Sequence, residues 1–374
     1  MTNGAPVERA TPGGAGGILA CAGLVAAALA VLPAAPAARP AAQATPGPLP
    51  SAAFWRLVSD LSEPGGTFRS DNLVSNERAF QHVVPALIDR APGSVYIGVG
   101  PDQNFTYIAA LRPRIAFVVD IRRDNLRLHL LYKALVELSA DREELISRLF
   151  ARRPATRIGA GVTPEALFAA FEAAATDEAL ARETADAILR RLTRHHRFPL
   201  GDEDARAIRD LHAAFVRFGP ALTYASSSSD EARGLPTFAD LQLGSDLEGR
   251  QHGYLASDEA YETLRRWQLA NLLVPVVGDF AGPAALAGIA AYLERRGLMV
   301  DAFYASNVEE YLFGDGRWPA FYRNLERLPR AADAILIRSA PGSSRVDGIL
   351  PLLRAVNDGR IRTYADITGR GGIR

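Results

Sequence analysis

Cysteine is almost absent from this chain, since its 374 residues include only Cys21, near the N-terminus. The part of the chain after residue 50 therefore contains no internal disulfide, no thiolate metal cluster and no catalytic cysteine. Net charge is absent as well, because 42 Lys and Arg residues balance 42 Asp and Glu residues. Without a net field to attract a polyanion, we expect no nucleic-acid partner.

Long apolar runs are also lacking. Residues 1–50 are rich in Ala, Gly and Pro, and their apolar run, 18–32, is shorter than the roughly 20 residues of a membrane-spanning helix. Its length suits a signal peptide, and Ala42-Gln43-Ala44 offers a cleavage site. Three interpretations stay open: an export signal over 1–44, membrane anchoring through 18–32, or a disordered leader on a cytoplasmic protein.

Two common kinds of catalytic signature are missing. The serine tract 226–229 has no Gly-x-Ser-x-Gly frame, so it does not predict a nucleophile elbow. His195 and His196 stand between two arginines without further ligands at metal-site spacing, and a solvated basic helix end is the expected structure. We therefore expect no metal site.

What the chain does contain is an alternation of apolar runs and amphipathic helices. The runs begin at Val95 and continue at 115–120, 272–277, 299–305 and 334–337, with a possible short strand at 361–364. This alternation predicts the α/β class, with a doubly wound, mostly parallel Rossmann-like sheet. The predicted organisation is a leader (1–50), the first part of the sheet domain (51–140), a helical insertion or lid (141–255) and the second part (256–374).

The stretch from Val95 to Asp120 has the form of a nucleotide-binding βαβ unit. Gly98 and Gly100 let the backbone turn tightly and approach a ligand, and the helix starting near Asn104, just after Asp102, points free N–H groups at the same place. Asp120 follows Gly98 by 22 positions (120 minus 98), close to the offset of a ribose-binding acid. Alternatively, Asp120 simply caps a strand-to-helix turn.

A second polar segment, 70–77, precedes the first strand. It is dense in short polar side chains and leads into a helix predicted over 79–88. Helix capping by Ser75 is one interpretation. The other places Asn72, Asn76 and Glu77 beside the ligand pocket.

From Val95 to about Ser339 the chain resembles the class I S-adenosylmethionine-dependent methyltransferases. The Val95 to Gly100 run is similar to the first glycine motif of that superfamily, and Asp120 takes the position of its ribose-binding acid. The resemblance implies that Asp279 and Phe280, in Gly278-Asp279-Phe280, contact adenine. The segment 300–312, which includes Ser306 and Asn307, resembles the strand-four motif that meets the substrate. The implied cofactor is S-adenosylmethionine, and the implied partner is a small-molecule substrate.

The chain departs from that superfamily in several places. Val95-Tyr96 replaces the usual leading acid, and Asp102 or Gln103 stands at the third glycine position. Little sequence follows the fifth strand, so we expect the closing antiparallel hairpin to be missing and the sheet edge to be truncated.

Methyl transfer from a sulfonium needs alignment and water exclusion more than acid–base chemistry. If a base is used, the candidates are Tyr304, Glu309 and Glu310, at the carboxyl edge of strand four, although the two glutamates also suit a helix N-terminus.

Two other functions stay open: an NAD-dependent oxidoreductase and a non-catalytic Rossmann-like binding protein. An exported domain would also lack S-adenosylmethionine, which conflicts with methyl transfer.

Overall fold

A six-stranded sheet runs through the structure, a computed structural model that describes residues 47–90, 93–225, 234–340 and 342–369. Within those residues the strand order is β3-β2-β1-β4-β5-β6. Strands β1 to β5 are parallel, and β6 is antiparallel to β5. The strands are β1 Val95–Gly98, β2 Ile115–Asp120, β3 Leu273–Val277, β4 Val300–Ser306, β5 Arg330–Ala340 and β6 Ser343–Gly348. The predicted α/β class with a mostly parallel sheet is confirmed.

Helices separate the parallel strands and flank the sheet. Helix α1 packs against β3, α3 against β1, α4 against β2 and β3, and α14 against β5. This arrangement is compatible with a Rossmann-like fold. The helices are α1 Ser51–Leu61, α2 Val84–Ile88, α3 Gln103–Leu111, α4 Arg123–Leu138, α5 Arg142–Phe150, α6 Pro164–Ala173, α7 Glu178–Arg190, α8 Asp202–Phe218, α9 Phe238–Gln242, α10 Asp258–Leu269, α11 Ala285–Glu294, α12 Val308–Gly314, α13 Trp318–Arg327, α14 Ile349–Asn357 and α15 Tyr364–Thr368.

The core lies on the central strands. Every residue of β1, β2 and β3 is buried, as expected for parallel strands covered by helices. Pro275 lies inside β3, opposite Val118 of β2. Because β3 is at the edge of the described sheet, one of its sides has no partner strand among the described residues, and a residue without an N–H is tolerated there.

Two expectations about the C-terminal region are wrong. Residues 361–363 form no strand, and Tyr364 begins α15, where Thr363 and Asp366 make a reciprocal capping box. The sheet edge is not truncated, since β6 pairs with β5 along its whole length. Strand β6 escapes sequence prediction because its sequence, Ser-Ser-Arg-Val-Asp-Gly, contains one apolar side chain. Its place in the sheet comes from the backbone groups that β5 would otherwise leave unpaired.

Helices α5 to α9 lie in the described part of the segment 141–255, for which the sequence predicted helices. His195 is exposed, as a solvated helix end requires. For His196 that prediction is wrong, because its ring is 7% exposed and stacks on Phe198 with centroids 4.9 Å apart. Its Nε2 lies 2.6 Å from Glu137 Oε2, and Lys133 Nζ lies 2.7 Å from the other carboxylate oxygen. The histidine therefore belongs to a buried polar cluster.

The predictions for 18–32 and 1–44 lie outside the described residues. Across the part of the chain that the structure describes, every helix is too short or too polar to cross a bilayer.

Candidate functional site

A cavity of about 250 Å³ lies at the carboxyl ends of β1 to β4. Ligands of open α/β sheets bind at this edge, where the loops after neighbouring strands converge. The volume is just below the roughly 300–1,000 Å³ of typical small-molecule sites. The cavity is lined by Thr67, Phe68, Asn72, Ser75, Asn76, Glu77, Val99, Gly100, Pro101, Gln103, Val119, Asp120, Ile121, Arg122, Tyr224, Gly278, Asp279, Phe280, Ser306, Asn307, Val308, Tyr311, Leu312, Asp315 and Arg317.

The loop after β1 forms one wall of the cavity. Gly100 has a φ of +82°, a conformation that glycine adopts without strain. Its carbonyl accepts a hydrogen bond from His129 Nε2 at 2.9 Å. Burial lowers the pKa of His129 to about 4, so its imidazole is neutral near pH 7 and Nε2 carries the proton. The hydrogen bond from His129 therefore holds the backbone of this loop in place.

Gly98 and Asn104 shape the same loop and do not line the cavity. The Asn104 amide nitrogen donates to the carbonyls of Val99, Gly100 and Pro101 at 2.9, 3.2 and 2.7 Å. A Cβ on Gly98 would collide with the side chain of Asn104. Both predicted ligand-binding residues therefore support the turn from within the protein.

Asp102, also predicted to bind cofactor, points to the interior. It is 2% exposed, and its Oδ2 accepts hydrogen bonds from Gln242 Nε2 at 3.1 Å and the Tyr254 hydroxyl at 3.0 Å. Burial raises the pKa of Asp102 to about 7, against the opposing effect of the Tyr254 hydrogen bond. Asp102 thus ties the β1–α3 turn to the chain near α9.

Asp120 lines the cavity at the end of β2, as its spacing predicted. Its carboxylate is already engaged by Arg122, whose Nε and Nη2 donate to the two oxygens at 3.1 Å each. The Arg122 backbone N–H donates to Oδ1 at 2.9 Å, and its Nη1 donates to the Asp71 carbonyl. Oδ2 accepts one of these bonds, so it keeps a lone pair for a ligand.

The loop after β3 brings Gly278, Asp279 and Phe280 to the cavity. Asp279 Oδ2 lies 2.6 Å from Arg317 Nη2, and its Oδ1 accepts the Ala281 N–H at 2.8 Å. Phe280 is 4% exposed and packs edge-on against Phe303. The acid is thus held by the protein, as Asp120 is.

Glu63 holds that loop against the helix that follows it. Its Oε1 accepts the N–H groups of Ala284 and Ala285 at 2.8 and 2.7 Å, which satisfies free donors at the start of α11. This contact could not be predicted from local sequence, because Glu63 lies more than 200 positions earlier in the chain.

Glu77 meets the end of β4 in the cavity wall. Tyr304 and Ser339 donate hydroxyl hydrogen bonds to its Oε2 at 2.5 and 2.6 Å, and the Ser306 hydroxyl donates to Oε1. Burial raises the pKa of Glu77, against the opposing effect of these bonds. The segment before β1 is therefore joined to strands β4 and β5 through one carboxylate.

Asn72, Asn76, Ser306 and Asn307 line the cavity together with Glu77. Asn72 and Ser306 have φ angles of +49° and +53°. Residues other than glycine rarely adopt positive φ angles, and backbone strain of this kind is concentrated at functional sites. All five residues that sequence reasoning assigned to the pocket thus surround one space.

The three predicted catalytic residues are placed differently. Tyr304 is fully buried and reaches the cavity only through Glu77 and Gln103. Glu309 pairs with Arg338 and accepts the Tyr322 hydroxyl at 2.6 Å, and Glu310 is exposed. Neither glutamate lines the cavity.

Sequence reasoning missed several lining residues. Arg122 and Arg317 neutralise the two predicted acids, and Gln103 lines the cavity from the first position of α3. Arg122 had a usable signal, since it stands two positions after a strand-ending acid. Arg317 had no such signal, because its pairing with Asp279 depends on how the chain after α12 approaches the loop after β3.

Within the described residues, no group of three or more His, Cys, Asp or Glu side chains is arranged to hold a metal ion.

The fold and the cavity define an α/β protein with a small cavity, lined by polar and apolar residues, at the carboxyl edge of a mostly parallel sheet. Within that class, the chain belongs to the family of the domain of unknown function DUF7790, whose model matches residues 72–198 and 227–349, more than half of the chain. No curated protein matches it. Every predicted site residue lies inside the two matched ranges.

Proposed function

We propose that this protein binds S-adenosylmethionine or a related adenosyl ligand and is a divergent methyltransferase. One observation carries the proposal: the carboxyl ends of β1, β2, β3 and β4, with the loops that follow them, line the same cavity and contribute Gly100, Asp120, Phe280 and Ser306, one from each strand end. The resemblance assigns these four loops to the glycine turn, the ribose, the adenine and the substrate. Their convergence is the geometry that such a ligand needs.

The cavity wall supplies groups that suit an adenosine. Asp120 Oδ2 keeps an acceptor site for a ribose hydroxyl, and Phe280 offers an apolar surface for the adenine. Phe68 and Tyr311, which pack edge-on with centroids 5.3 Å apart, add a second apolar surface. These features support recognition of a ligand that is part sugar and part aromatic ring.

Methyl transfer asks the protein to align two reactants in a site that excludes water. Among the predicted base candidates, Tyr304 has a hydrogen bond to a cavity carboxylate, and Glu309 and Glu310 have none. We therefore assign Glu77 the contact with substrate and Tyr304 the positioning of Glu77.

The proposed sheet domain is doubly wound, with 141–255 as an insertion between β2 and β3. Two groups of mutually packed helices support the doubly wound arrangement: α1, α11, α13 and α14 form one, and α2, α3, α10 and α4 form the other. Tyr224 links the insertion to the site, because it lines the cavity and its carbonyl accepts the Ser70 hydroxyl at 3.2 Å.

An NAD-dependent oxidoreductase is the second candidate. The strand order 3-2-1-4-5-6 is that of dinucleotide-binding folds, which supports it. In those folds, however, the sixth strand belongs to a second parallel βαβαβ half. Here β6 is antiparallel and follows β5 directly, which favours the methyltransferase proposal.

Calorimetry with S-adenosylmethionine tests the proposal. We expect stoichiometric binding to the wild type and binding at least about tenfold weaker in Asp120→Ala and Asp120→Asn, since loss of one hydrogen bond to a charged group costs about 1.5–3 kcal/mol. Asp210→Ala, an exposed acid on α8, is the matched control and should bind as the wild type does. Absence of heat at millimolar ligand would refute the proposal. Binding of NADH in its place would favour the oxidoreductase, and binding of neither would favour a non-catalytic protein.

The proposal also requires that the domain resides where S-adenosylmethionine is present. Cell fractionation followed by N-terminal sequencing tests this requirement. An intact N-terminus in the cytoplasmic fraction agrees with methyl transfer, whereas cleavage near residue 44 and export would contradict it.

A further inference from the structure

Glu77 is a carboxylate in the cavity wall without a cationic partner among the described residues. Three hydroxyl groups donate to it, from Tyr304, Ser306 and Ser339. Among the ion pairs of the described residues, none includes Glu77, whereas the cavity acids Asp120 and Asp279 each have an arginine. Enclosing an unpaired charge is costly, so a cation at this position would stabilise the site.

Gln103 supplies an independent sign of a ligand-binding position. It lines the cavity and is 5% exposed, and its Oε1 has no hydrogen-bond partner among the described residues. The orientation of its amide follows from its neighbour. Because the Tyr304 hydroxyl donates its proton to Glu77, its oxygen must accept from Gln103, so the amide nitrogen faces Tyr304 at 3.2 Å. The amide oxygen is left without a donor.

Asn72 repeats this pattern elsewhere in the cavity wall. Its side-chain Oδ1 is buried and has no hydrogen-bond partner within the described part of the chain. Asn72, Gln103 and Glu77 thus line one cavity, and the side-chain oxygens of both amides are buried there without a donor among the described residues. A complementary ligand group must carry several N–H or O–H donors and a positive charge.

We propose that this acceptor cluster, Glu77 and Gln103, binds the protonated primary amino group of the ligand, with Asn72 as a further acceptor in the same cavity. The inference rests on the proposed function in that it uses the same cavity, and it adds the chemical class of the group bound there. An ammonium group offers three donors and one positive charge, which match the Glu77 carboxylate and the unpaired amide oxygen of Gln103.

A metal ion or a neutral alcohol fits the cluster less well. The cluster contains one carboxylate, and no described group of three His, Cys, Asp or Glu residues is arranged to hold a metal. A divalent ion would thus keep an unbalanced charge. An alcohol has one donor and no charge, so it would leave Glu77 without a counter-ion.

Two molecules could bring such an amino group. It is either the amino group of the adenosyl ligand itself, on its methionine part, or that of a separate amine substrate. The acceptors are the same in both cases, and a competition experiment separates them.

The primary test is calorimetric titration of the full chain with n-butylammonium chloride and with 1-butanol. We expect saturable binding of the ammonium, binding of the alcohol at least about tenfold weaker, and a loss of at least about tenfold for n-butylammonium in Glu77→Gln. Gln103→Met keeps the side-chain length, removes the acceptor and should lose several-fold. Glu172→Gln, an exposed acid on α6, should bind as the wild type does.

Equal binding of the ammonium and the alcohol by the wild type would overturn the inference. This comparison uses only the wild-type protein, so it does not depend on whether a variant folds. Unchanged ammonium binding in Glu77→Gln would also overturn it. Magnesium chloride titrated in the same way should give no heat, and saturable binding of magnesium abolished by Glu77→Gln would assign the cluster to a metal.

The competition experiment identifies the source of the amino group. If S-adenosylmethionine displaces n-butylammonium and 5′-methylthioadenosine, which lacks the amino-acid part, does not, the group belongs to the adenosyl ligand. If both compounds bind beside n-butylammonium, it belongs to a separate amine substrate. If neither adenosyl compound binds, the proposed function fails, and the amine inference is decided by the first titration alone.

Discussion

Substituting Asp102 by Asn separates a structural role of this residue from a ligand-binding one. The sequence suggested that Asp102 binds cofactor, yet its carboxylate accepts hydrogen bonds from Gln242 and Tyr254 inside the protein. Both donors meet Oδ2, so an Asn side chain can place its amide oxygen there and keep the two bonds. The substitution therefore removes the titration of Asp102 with little change of shape.

The expected effect on stability follows from the pKa. Burial raises the pKa of Asp102 from 3.8 to about 7. A carboxyl group with a raised pKa in the folded state stabilises that state fully below pH 3.8. This stabilisation is lost as the pH rises to about 7, because charging the buried group then opposes folding. About 3 pKa units at about 1.4 kcal/mol each give a loss of about 4 kcal/mol, an upper bound because local relaxation and water entry reduce it.

Urea unfolding of the wild type and Asp102→Asn at a series of pH values measures this loss. The free energy of unfolding of the wild type should fall relative to the variant by up to about 4 kcal/mol between about pH 4 and about pH 8. Asp210→Asn, an exposed acid on α8, should run parallel to the wild type. If Asp102→Asn also runs parallel, Asp102 is not buried as a titrating acid. Weaker ligand binding with unchanged stability would restore its predicted cofactor role.

Three other substitutions probe the core, the buried histidine and the Glu77 cluster by denaturant unfolding at neutral pH. Phe117→Ala, at a fully buried position of β2, should cost about 3–5 kcal/mol because it leaves a cavity. His196→Ala should cost about 1–3 kcal/mol because Glu137 loses a buried hydrogen bond. Tyr304→Phe should cost about 1–3 kcal/mol because it removes the donor to Glu77 and the acceptor of Gln103.

Each of these has a control of the same residue type or character. Leu247→Ala removes a side chain that is 76% exposed, His195→Ala removes the exposed neighbour of His196, and Tyr311→Phe removes a hydroxyl that meets the exposed Arg69. Each control should change stability by less than about 0.5 kcal/mol. If a control variant loses as much free energy of unfolding as the test variant it is matched with, the contact assigned to that test residue is contradicted.

Elements with strong local signals could be predicted from the sequence. Helix α8, 202–218, has such signals, because three acids fill its first turn, Ile208 and Phe215 share its buried face, and Gly219 follows with a φ of +58°. Strand β6 could not be predicted, because its partner rather than its composition makes it a strand. The burial of His196 depends on Ser51 and Glu137, which are distant in sequence, so local composition gave the wrong result.

The candidate site was predictable in part for a similar reason. Loops that follow parallel strands must meet at one edge of the sheet, so Gly100, Asp120 and Asp279 were expected to converge. Contacts that depend on side-chain direction were not predictable. Asp102 turns inward and Glu309 pairs with Arg338, although both stand at positions that suit ligand binding.

The pairing of Asp120 with Arg122 sets a condition on any ligand of this cavity. A ribose hydroxyl that approaches Asp120 must share the carboxylate with a guanidinium that already donates to both oxygens. Because the charges of Asp120 and Arg122 balance, the pair attracts a cation only weakly. It can still accept a hydrogen bond from a neutral donor. Glu77 differs from Asp120 in this respect, since hydroxyl groups surround it and none of them carries charge. The electrostatic preference of the cavity is thus expected to be set by Glu77, 43 positions before the acid that the sequence motif singles out (120 minus 77).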